Sequence, residues 1–361
     1  MSCRRLLPGI AAALVVLLSL AGCVQSPNGQ APSPTAIALL LPESKAARYE
    51  SVDRPSFEQT VERRCPTCRV LYANADQDAA RQQQQAESVL TQGAGVLVLD
   101  AVDATAAIGI VQLAAARGVP VIAYDRFIAD APLDYFVGVD GARVGRLQGE
   151  ALVAALATRR TGPSDDRDGI LVVNGSPTDP NSVRFQAGLA AALVETPIDV
   201  LASYDTPDWS PDKAQAWVSD QLTQYGPRVE AVYAANDGEA GGAISAMRSA
   251  GFDPVAPVTG QDAELAAIQR IVSGDQLMTV YRALSEQGRT AAELAVRVAR
   301  GEHPVATAKL DGVPAMLLAP VSVDIHNVRR VIVDGGVFTT EEICVQPYTE
   351  ACVAAGLLDG T

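Results

Sequence analysis

Residues 96–126 read VLVLDAVDATAAIGIVQLAAARGVPVIAYDR, and this stretch decides the fold class. Val96–Leu99 is a short apolar run without alternation, which is typical of a parallel strand buried on both faces. A helix is predicted over Ala104–Arg117, ending at Gly118, and Val119–Tyr124 is a second apolar run. Because parallel strands are joined by a crossover helix, the stretch predicts a β-α-β unit and a parallel sheet covered by helices.

The same alternation extends in both directions along the chain. Before residue 96, strands are predicted at Ile37–Leu41 and Val70–Tyr72, with helices at Arg54–Arg64 and Asp76–Thr91. A strand at Tyr135–Val139 closes this set, and the pattern then restarts. The later strands are predicted at Gly169–Asn174, Val200–Tyr204, Ala231–Ala234, Val258–Thr259, Met278–Val280, Val321–Val323 and Val331–Val333. These are too many elements for one ordinary sheet, so the sequence predicts an α/β fold with two doubly wound parallel-sheet lobes.

Polar and aromatic residues follow the strands at their carboxyl ends, which is where doubly wound sheets bind ligands. Arg48 and Tyr49 come after the first strand, and Asp125 and Arg126 follow the fourth. The strands of the second set are followed by Asp179, Asn181, Trp209, Asn236, Asp262 and Arg282. We therefore predict that these residues together form a ligand-binding site.

The residue types at these strand ends suit a small, neutral, polyhydroxylated ligand. Asp, Asn and Arg make planar, often bidentate hydrogen bonds, and a charge-assisted bond contributes about 1.5–3 kcal/mol. The ring faces of Trp209 and Tyr49 match the apolar C–H face of a pyranose. Taken singly, each residue also has an ordinary structural role as a surface pair, turn residue, helix N-cap or packing residue. Their recurrence at successive strand ends favours a site.

An enzymatic function is not predicted. His303 and His326 lack metal-ligand spacing, and neither a GxSxG elbow nor a phosphate loop occurs. The glycine-rich residues 238–242 lie in a helical stretch without the Lys-Ser/Thr ending of a phosphate loop. Paired carboxylates leave a glycosidase open by residue type alone. We expect no cofactor and no metal site.

The amino-terminal segment indicates export. The apolar run Ile10–Leu20 is only 11 residues long, whereas a membrane-spanning helix needs roughly 20. Leu20-Ala21-Gly22-Cys23 resembles the bacterial lipobox, in which the cysteine is diacylated; the alternative is an ordinary signal peptide with an incidental cysteine. We therefore expect a signal peptide over residues 1–22, a lipid anchor on Cys23 and a Pro- and Ser-rich tether over 23–35. The protein is then extracytoplasmic and anchored to the cell membrane.

The overall charge excludes one class of partner. The formal net charge is −14 and the isoelectric point is about 4.6. Nucleic-acid binding requires clustered Lys and Arg to contact phosphates, so no nucleic-acid partner is expected.

Four cysteines remain after Cys3 and Cys23, namely Cys65, Cys68, Cys344 and Cys352. An even number in an exported protein predicts disulfides, with three possible pairings, of which the local ones, 65–68 and 344–352, are the simplest. Cys65-Pro66-Thr67-Cys68 also matches a redox motif or half of a zinc site. A zinc site lacks the second CxxC and a nearby histidine, and the motif enters a strand instead of opening a helix.

Several motifs together resemble the type I periplasmic sugar-binding proteins of ABC importers, and most closely those that bind D-xylose. They are VPVIAYDR (119–126), GSPTDPN (175–181), VYAANDGEAGGAISAM (232–247), VTGQDAELAAIQRIVSGDQLMTVYR (258–282) and TAAELAV (290–296). The resemblance runs from about Ile37 to Val333. It implies ligand-binding roles for the ten strand-end residues named above. At two of them this chain departs from the xylose binders, because Arg282 replaces a Lys and Tyr49 replaces a Trp. Arg282 keeps the positive charge with a different reach, and Tyr49 keeps an aromatic ring with a different stacking area. The two changes therefore leave the exact sugar open, while the sugar class stays as the resemblance implies.

The resemblance also implies the domain organisation and the partners. The N-terminal lobe is expected over residues 36–139 and 283–321, and the C-terminal lobe over 140–282 and 322–361, joined by a three-strand hinge. The ligand, a monosaccharide such as xylose or a similar aldose, lies between the lobes and is buried by hinge closure. The expected partner is an ABC permease, and the chain is expected to act as a monomer. The alternative function is a receptor that presents bound sugar to a membrane sensor kinase; a sugar-responsive repressor of this fold would need a DNA-binding segment where the lipobox stands.

Overall fold

The computed structural model describes residues 35–159 and 168–358. The predicted signal peptide, the lipidation site Cys23 and nearly all of the predicted tether lie outside these residues. Among the described residues, no helix has the length and apolar character needed to cross a membrane.

Strands and helices alternate from the start of the described chain. The first set consists of β1 (Ala36–Leu41), α1 (Arg54–Arg64), β2 (Arg69–Asn74), α2 (Ala79–Thr91), β3 (Ala94–Leu99), α3 (Ala107–Ala116), β4 (Val121–Tyr124) and β5 (Tyr135–Val139). The second set consists of α4 (Gly141–Arg159), β6 (Gly169–Asn174), α5 (Pro180–Leu193), β7 (Asp199–Asp205), α6 (Pro211–Tyr225), β8 (Val229–Ala234), α7 (Asp237–Ser249), α8 (Leu265–Ser273) and β9 (Thr279–Tyr281). The chain ends with α9 (Leu284–Ala299), β10 (Ala308–Leu310), β11 (Val313–Leu318), β12 (Val321–Val323), α10 (Thr340–Ile343) and α11 (Thr349–Ala354).

The strands form two main sheets, one in each lobe of a type I periplasmic binding protein fold, which confirms the predicted fold class. Within the described residues, the N-terminal lobe has a seven-stranded sheet of order β10-β11-β5-β4-β3-β1-β2, parallel except for the β10–β11 pair. The C-terminal lobe has a three-stranded parallel sheet of order β7-β6-β8. Single bridges at Val258 and Gln261 lead from β8 towards β9, which pairs antiparallel with β12.

The apolar run of β1 explains why this strand lies inside its sheet. Ile37 and Leu39 face a core that contains Phe57 of α1 and Ala291 of α9. Leu40 faces the opposite core, which is built with α2 and α3. Because helices cover both faces, every position of β1 is buried, and the strand reads as a continuous apolar run without alternation.

The chain passes between the lobes three times. It leaves the first sheet between β5 and α4, returns between β9 and α9, and leaves again between β11 and β12. The residues at which each lobe begins and ends stay a prediction.

Three details differ from the sequence-based expectations. Val331–Val333, predicted as a strand, belongs to a one-turn helix, Arg329–Val333, because a short apolar run has no periodicity that separates a strand from a buried helix. Val258–Thr259 makes a single bridge and no ladder. Strands β10 and β11 were not predicted, since Pro314 in β11 argues against a strand; it is tolerated where β11 pairs with the edge strand β10.

The four remaining cysteines are joined locally, Cys65 to Cys68 and Cys344 to Cys352. The first pair lies just after the carboxyl end of α1, where the helix dipole disfavours a thiolate, so the redox interpretation has no support. The second pair ties α11 to the end of α10, and Cys352 packs with Ile268 and Ile271 of α8. Among the described residues, no group of three or more His, Cys, Asp or Glu side chains is arranged to hold a metal.

Candidate ligand-binding site

The ten strand-end residues surround one small space between the two lobes. Its lining consists of Glu43, Ala46, Arg48, Tyr49, Asp125, Arg126, Asp179, Asn181, Phe185, Trp209, Asn236, Gln261, Asp262 and Arg282. The structure therefore brings together every residue that was predicted for the site. Their roles in ligand binding stay a prediction.

Arg48 is held in place by two carboxylates of its own lobe. Its Nε and Nη2 atoms each donate to Asp53 at 2.9 Å, and its Nη1 atom donates to Asp125 Oδ2 at 2.9 Å. Tyr124 donates its hydroxyl hydrogen to the same Asp53 carboxylate. The bidentate pair fixes the plane of the guanidinium, which in turn lies 4.7 Å from the centre of the Tyr49 ring.

Asp125 is the hydrogen-bonding centre of the site. It follows β4 in a left-handed conformation, with φ of +62°, which turns its side chain into the space. Its Oδ2 accepts from Arg48 and Gln287 and lies 3.2 Å from Arg282 Nη2, while its Oδ1 accepts from Asn181 of the other lobe at 2.9 Å. Burial by itself would raise the pKa of Asp125, but the charges of Arg282 and Arg48 outweigh it and hold the pKa below its ordinary value.

Arg126 links the lobes through a second ion pair. Its side chain is 2% exposed, its Nη1 donates to the carbonyl of Ala101 at 2.8 Å, and its Nε lies 2.7 Å from Asp179 Oδ2. Asp100, at the end of β3, lies 3.5 Å from the same nitrogen. Burial would lower the pKa of Arg126, yet the neighbouring Asp179 and Asp100 raise it, so the guanidinium stays charged.

Asp179 and Asn236 each cap a helix and also line the space. Asp179 caps α5 by accepting from the Asn181 backbone at 2.8 Å, and its other oxygen accepts from Trp209 Nε1 at 3.2 Å. Asn236 caps α7 by accepting from the Glu239 backbone at 2.8 Å. Both side chains also line the space, because helix amino termini in this fold face the carboxyl edge of the sheet.

Trp209 is seated on a glycine. A β-carbon at Gly175 would lie only 1.9 Å from Trp209 Cη2, so the indole ring rests directly on the backbone. Asp208 and Trp209 both have positive φ angles, of +55° and +54°. The ring is 7% exposed and faces the space, where it offers an apolar surface.

Asp262 and Arg282 complete the wall next to Asp125, with Arg282 Nη2 3.2 Å from Asp125 Oδ2. Asp262 Oδ1 accepts from Arg282 Nε at 3.2 Å and from Nη2 at 2.9 Å. Asp262 has φ of +102°, and its backbone N–H donates to Val280 in β9 at 3.0 Å, which fixes the turn.

Sequence reasoning missed seven residues that shape the site. Four of them line the space, namely Glu43, Ala46, Phe185 and Gln261, and of these only Phe185 lies away from the strand-end segments from which residues were chosen. Asp53, Asp100 and Gln287 contact the arginines or Asp125 from behind; of these, only Asp100 carried a signal, since it directly follows β3.

The electrostatics of the site favour a neutral ligand. Each of the three arginines that line the space is already paired with a carboxylate. Arg48 pairs with Asp53, Arg126 with Asp179 and Arg282 with Asp262. A charged ligand would leave one of these buried groups without its counter-charge, which is strongly unfavourable. Hydroxyl groups both donate and accept, so they join such a network without changing its charge.

The fold and the site together define a two-lobed α/β protein with a buried polar cleft between the lobes. The family described as periplasmic binding protein domain matches residues 37–303. The chain belongs to this family.

Several of its relatives are named as sugar-binding proteins. It is 31% identical over 315 residues to the D-xylose-binding periplasmic protein of Escherichia coli, covering 85% of this chain and 92% of that protein. It is 35% identical over 289 residues to a multiple sugar-binding periplasmic protein of Azospirillum brasilense, covering 73% and 80%. An ABC transporter solute-binding protein of Clostridium phytofermentans with bound β-D-glucose superposes with a TM-score of 0.76 at 24% identity, covering 86% of this chain and all of that one. The resemblance to the sugar-binding proteins of ABC importers is thereby confirmed.

Proposed function

We propose that this protein captures a neutral monosaccharide, D-xylose or a similar aldose, between its lobes and delivers it to an ABC permease. The observation that carries the proposal is the ring of charge-paired Asp and Arg side chains around the indole face of Trp209. An aldose ring would stack on the indole, and its hydroxyls would bridge carboxylates and guanidinium groups of both lobes. The relatives named for xylose and for multiple sugars support the sugar class.

Contacts between the lobes explain why sugar capture would be linked to closure. Asn181 donates to Asp125, and Arg126 pairs with Asp179, so groups of both lobes meet at the site. A ligand that bonds to these groups at once stabilises the closed form over an open one. A permease is then able to distinguish loaded from unloaded protein by shape.

Titration calorimetry with D-xylose, L-arabinose, D-ribose, D-glucose and D-galactose tests this function. We expect at least one aldose to bind with a Kd near about 1 μM, which corresponds to about −8 kcal/mol. Glucuronate is the matched charged control, and we expect it to bind at least tenfold more weakly than glucose. Absence of heat with every sugar would contradict the proposal.

The lipid anchor is a separate part of the proposal. Cys23 with its acyl chains would hold the monomeric receptor at the membrane surface, within reach of its permease. Cys23→Ala should move the full-length protein from the membrane fraction to the soluble fraction without changing sugar affinity. Retention of Cys23→Ala in the membrane fraction would rule out this anchor.

A further inference from the structure

Arg126 lies between two carboxylates that belong to different sheets. Its Nε atom is 2.7 Å from Asp179 Oδ2 and 3.5 Å from Asp100 Oδ1. Asp100 directly follows β3 of the first sheet, beside the β4 strand that precedes Arg126, whereas Asp179 lies between β6 of the second sheet and α5. When the lobes separate, Asp179 therefore leaves Arg126 while Asp100 stays beside it.

The Asp100 carboxylate depends chiefly on Arg126 for its counter-charge. It is fully buried, and neither of its oxygens accepts a hydrogen bond from the residues that the structure describes. Its position is fixed by the backbone, because the Asp100 N–H donates to Leu40 at 3.0 Å and its carbonyl accepts from Gln82 Nε2 at 2.7 Å. An ionised carboxylate in such a place is costly unless a cation lies next to it.

In the closed form, one guanidinium faces more negative charge than it neutralises. The other charged and titratable groups near Asp100 and Arg126 lie after β1, after β4 and at the start of α5, and they are Glu43, Arg48, Tyr49, Asp125 and Asp179. Burial raises the pKa of Asp100 well above its ordinary value against the opposing charge of Arg126, and it raises the pKa of Asp179 in the same way. Two carboxylates that share one cation titrate as a pair, which holds a proton at a pH where a single exposed carboxyl has lost it.

Opening of the cleft reverses this situation. Without Asp179, and with water at the site, Asp100 has Arg126 to itself, and its pKa returns towards the ordinary range. The closed form then binds the proton more tightly than the open form does. By linkage, closure around a sugar takes up protons, and sugar affinity rises as pH falls.

We propose that Asp100 is a positioning residue that sets the sugar affinity through Arg126, which it holds in the open form and shares with Asp179 and a bound proton in the closed form. The inference rests on the proposed function, because the sugar drives the closure. Asp100 itself lies behind Arg126, outside the lining of the space. Its effect on affinity is therefore indirect.

Calorimetry in phosphate and in Tris at pH 7 tests the inference, because the difference between the two binding enthalpies counts the protons taken up. The ligand is the aldose that binds most tightly among D-xylose, L-arabinose, D-ribose, D-glucose and D-galactose. We expect the unmodified protein to take up about 0.3–1 proton for each bound sugar. Its Kd should increase at least about threefold from pH 6 to pH 8.

Asp100→Asn removes the second carboxylate but keeps the shape of the side chain. We expect its proton uptake to fall by at least half, and at pH 8 it should bind the sugar at least about threefold more tightly than the unmodified protein does. Asp103→Asn is the matched control, because Asp103 lies on the same segment, is partly exposed and accepts only from the Thr105 and Ala106 backbones among the described residues. It should keep the proton uptake and the pH dependence of the unmodified protein.

The outcomes separate this inference from the proposed function. Sugar binding without proton uptake overturns the role of Asp100 and leaves the proposed function standing. Undiminished proton uptake in Asp100→Asn also overturns that role, because another group then binds the proton. A melting temperature of Asp100→Asn well below that of Asp103→Asn overturns it as well, since Asp100 would then be needed for the fold. Absence of binding by all five aldoses overturns the proposed function and this inference together.

Discussion

At the scale of single residues, the site depends on carboxylates that are each shared by more than one arginine. Asp125 forms ion pairs with Arg48 and Arg282. Asp262 forms an ion pair with Arg282 and lies 3.8 Å from Arg48. In such a network a residue is important both for the bonds it offers a ligand and for the charges it balances.

Asp262→Asn should weaken sugar binding by about 10- to 150-fold, because a charge-assisted hydrogen bond contributes about 1.5–3 kcal/mol. Asn tolerates the positive φ at this position, and Asp125 remains to balance Arg282, so the melting temperature should change little. Calorimetry and thermal melts measure both quantities. Asp275→Asn is the control, since Asp275 is paired with Arg248 in the same lobe but outside the site. Unchanged affinity in Asp262→Asn would show that the site is wrongly assigned.

Arg282→Lys introduces the residue that the resemblance to xylose binders implies at this position. Arg282 uses Nε and Nη2 on Asp262, and Nη2 also lies 3.2 Å from Asp125, an arrangement that a single ammonium group does not reproduce. We expect affinity for the preferred sugar to fall about 3- to 10-fold, which is within the range of one hydrogen bond. A calorimetric panel of pentoses and hexoses checks whether their order also changes. Higher affinity for every sugar would contradict this account.

At the scale of elements, the amino terminus of α7 contains a buried acid. Asp237 accepts from Gln276 Nε2 at 2.8 Å, Thr279 Oγ1 at 2.9 Å and the Glu264 backbone at 2.9 Å. Burial nevertheless raises the pKa of Asp237 to about 7, against an opposing effect of Arg270. The folded state therefore binds this proton more tightly than the unfolded state does.

The stability of the protein should consequently fall as pH rises from about 4 to about 7. A raised pKa in the folded state contributes stability that is fully present below the unfolded value and is lost as pH passes the folded value. Urea unfolding at pH 5, 6, 7 and 8 should show that the free energy of unfolding decreases by the order of a few kcal/mol over this range. Asp237→Asn should flatten this dependence, whatever its effect on stability at one pH. Parallel pH profiles for the two proteins would contradict the assignment.

The two disulfides constrain short loops of different length. The loop-entropy relation predicts that the double variant Cys65→Ser/Cys68→Ser loses about 2 kcal/mol of unfolding free energy. For the double variant Cys344→Ser/Cys352→Ser it predicts a loss of about 3 kcal/mol. The second double variant should also loosen the tail, because Cys352 is fully buried against α8. Urea unfolding and limited proteolysis beyond residue 333 measure the two effects. Equal protease resistance of the tail in both double variants would argue against this role.

At the scale of the whole molecule, contacts outside the site also hold the lobes together. Lys45 of the N-terminal lobe lies 2.5 Å from Asp208, and Gln77 donates to the Asp208 carbonyl at 3.3 Å. Lys213 binds the same carboxylate from within the C-terminal lobe at 3.0 Å. Asp208 is adjacent to Trp209, so this contact closes the rim next to the ring that lines the space.

Lys45→Ala should speed sugar release up to about fivefold, since partly exposed ion pairs contribute about 0–1 kcal/mol. Lys213→Ala is the matched control, because it removes a cation from the same carboxylate without removing a contact between the lobes. Stopped-flow measurement of tryptophan fluorescence gives the release rate. Equal effects of the two substitutions would show that the Lys45 contact does not stabilise closure.

The sequence by itself determined the alternation of strands and helices and ten of the residues around the cleft. Both are local properties: burial on two faces makes a strand continuously apolar, and a parallel sheet brings the residues after its strands to one edge. It did not distinguish the Val331–Val333 helix from a strand, because a short apolar run fits either.

Only the tertiary structure decided which polar side chains meet. Asn181 and Asp125 are 56 residues apart in the chain, and Gln287 and Asp125 are 162 apart. No local pattern encodes such pairs, since the first arises only when the two lobes meet and the second only when α9 packs against the first sheet. Asp53 and Gln287 therefore carried no signal in the sequence, and the depressed pKa of Asp125 was not predictable from it.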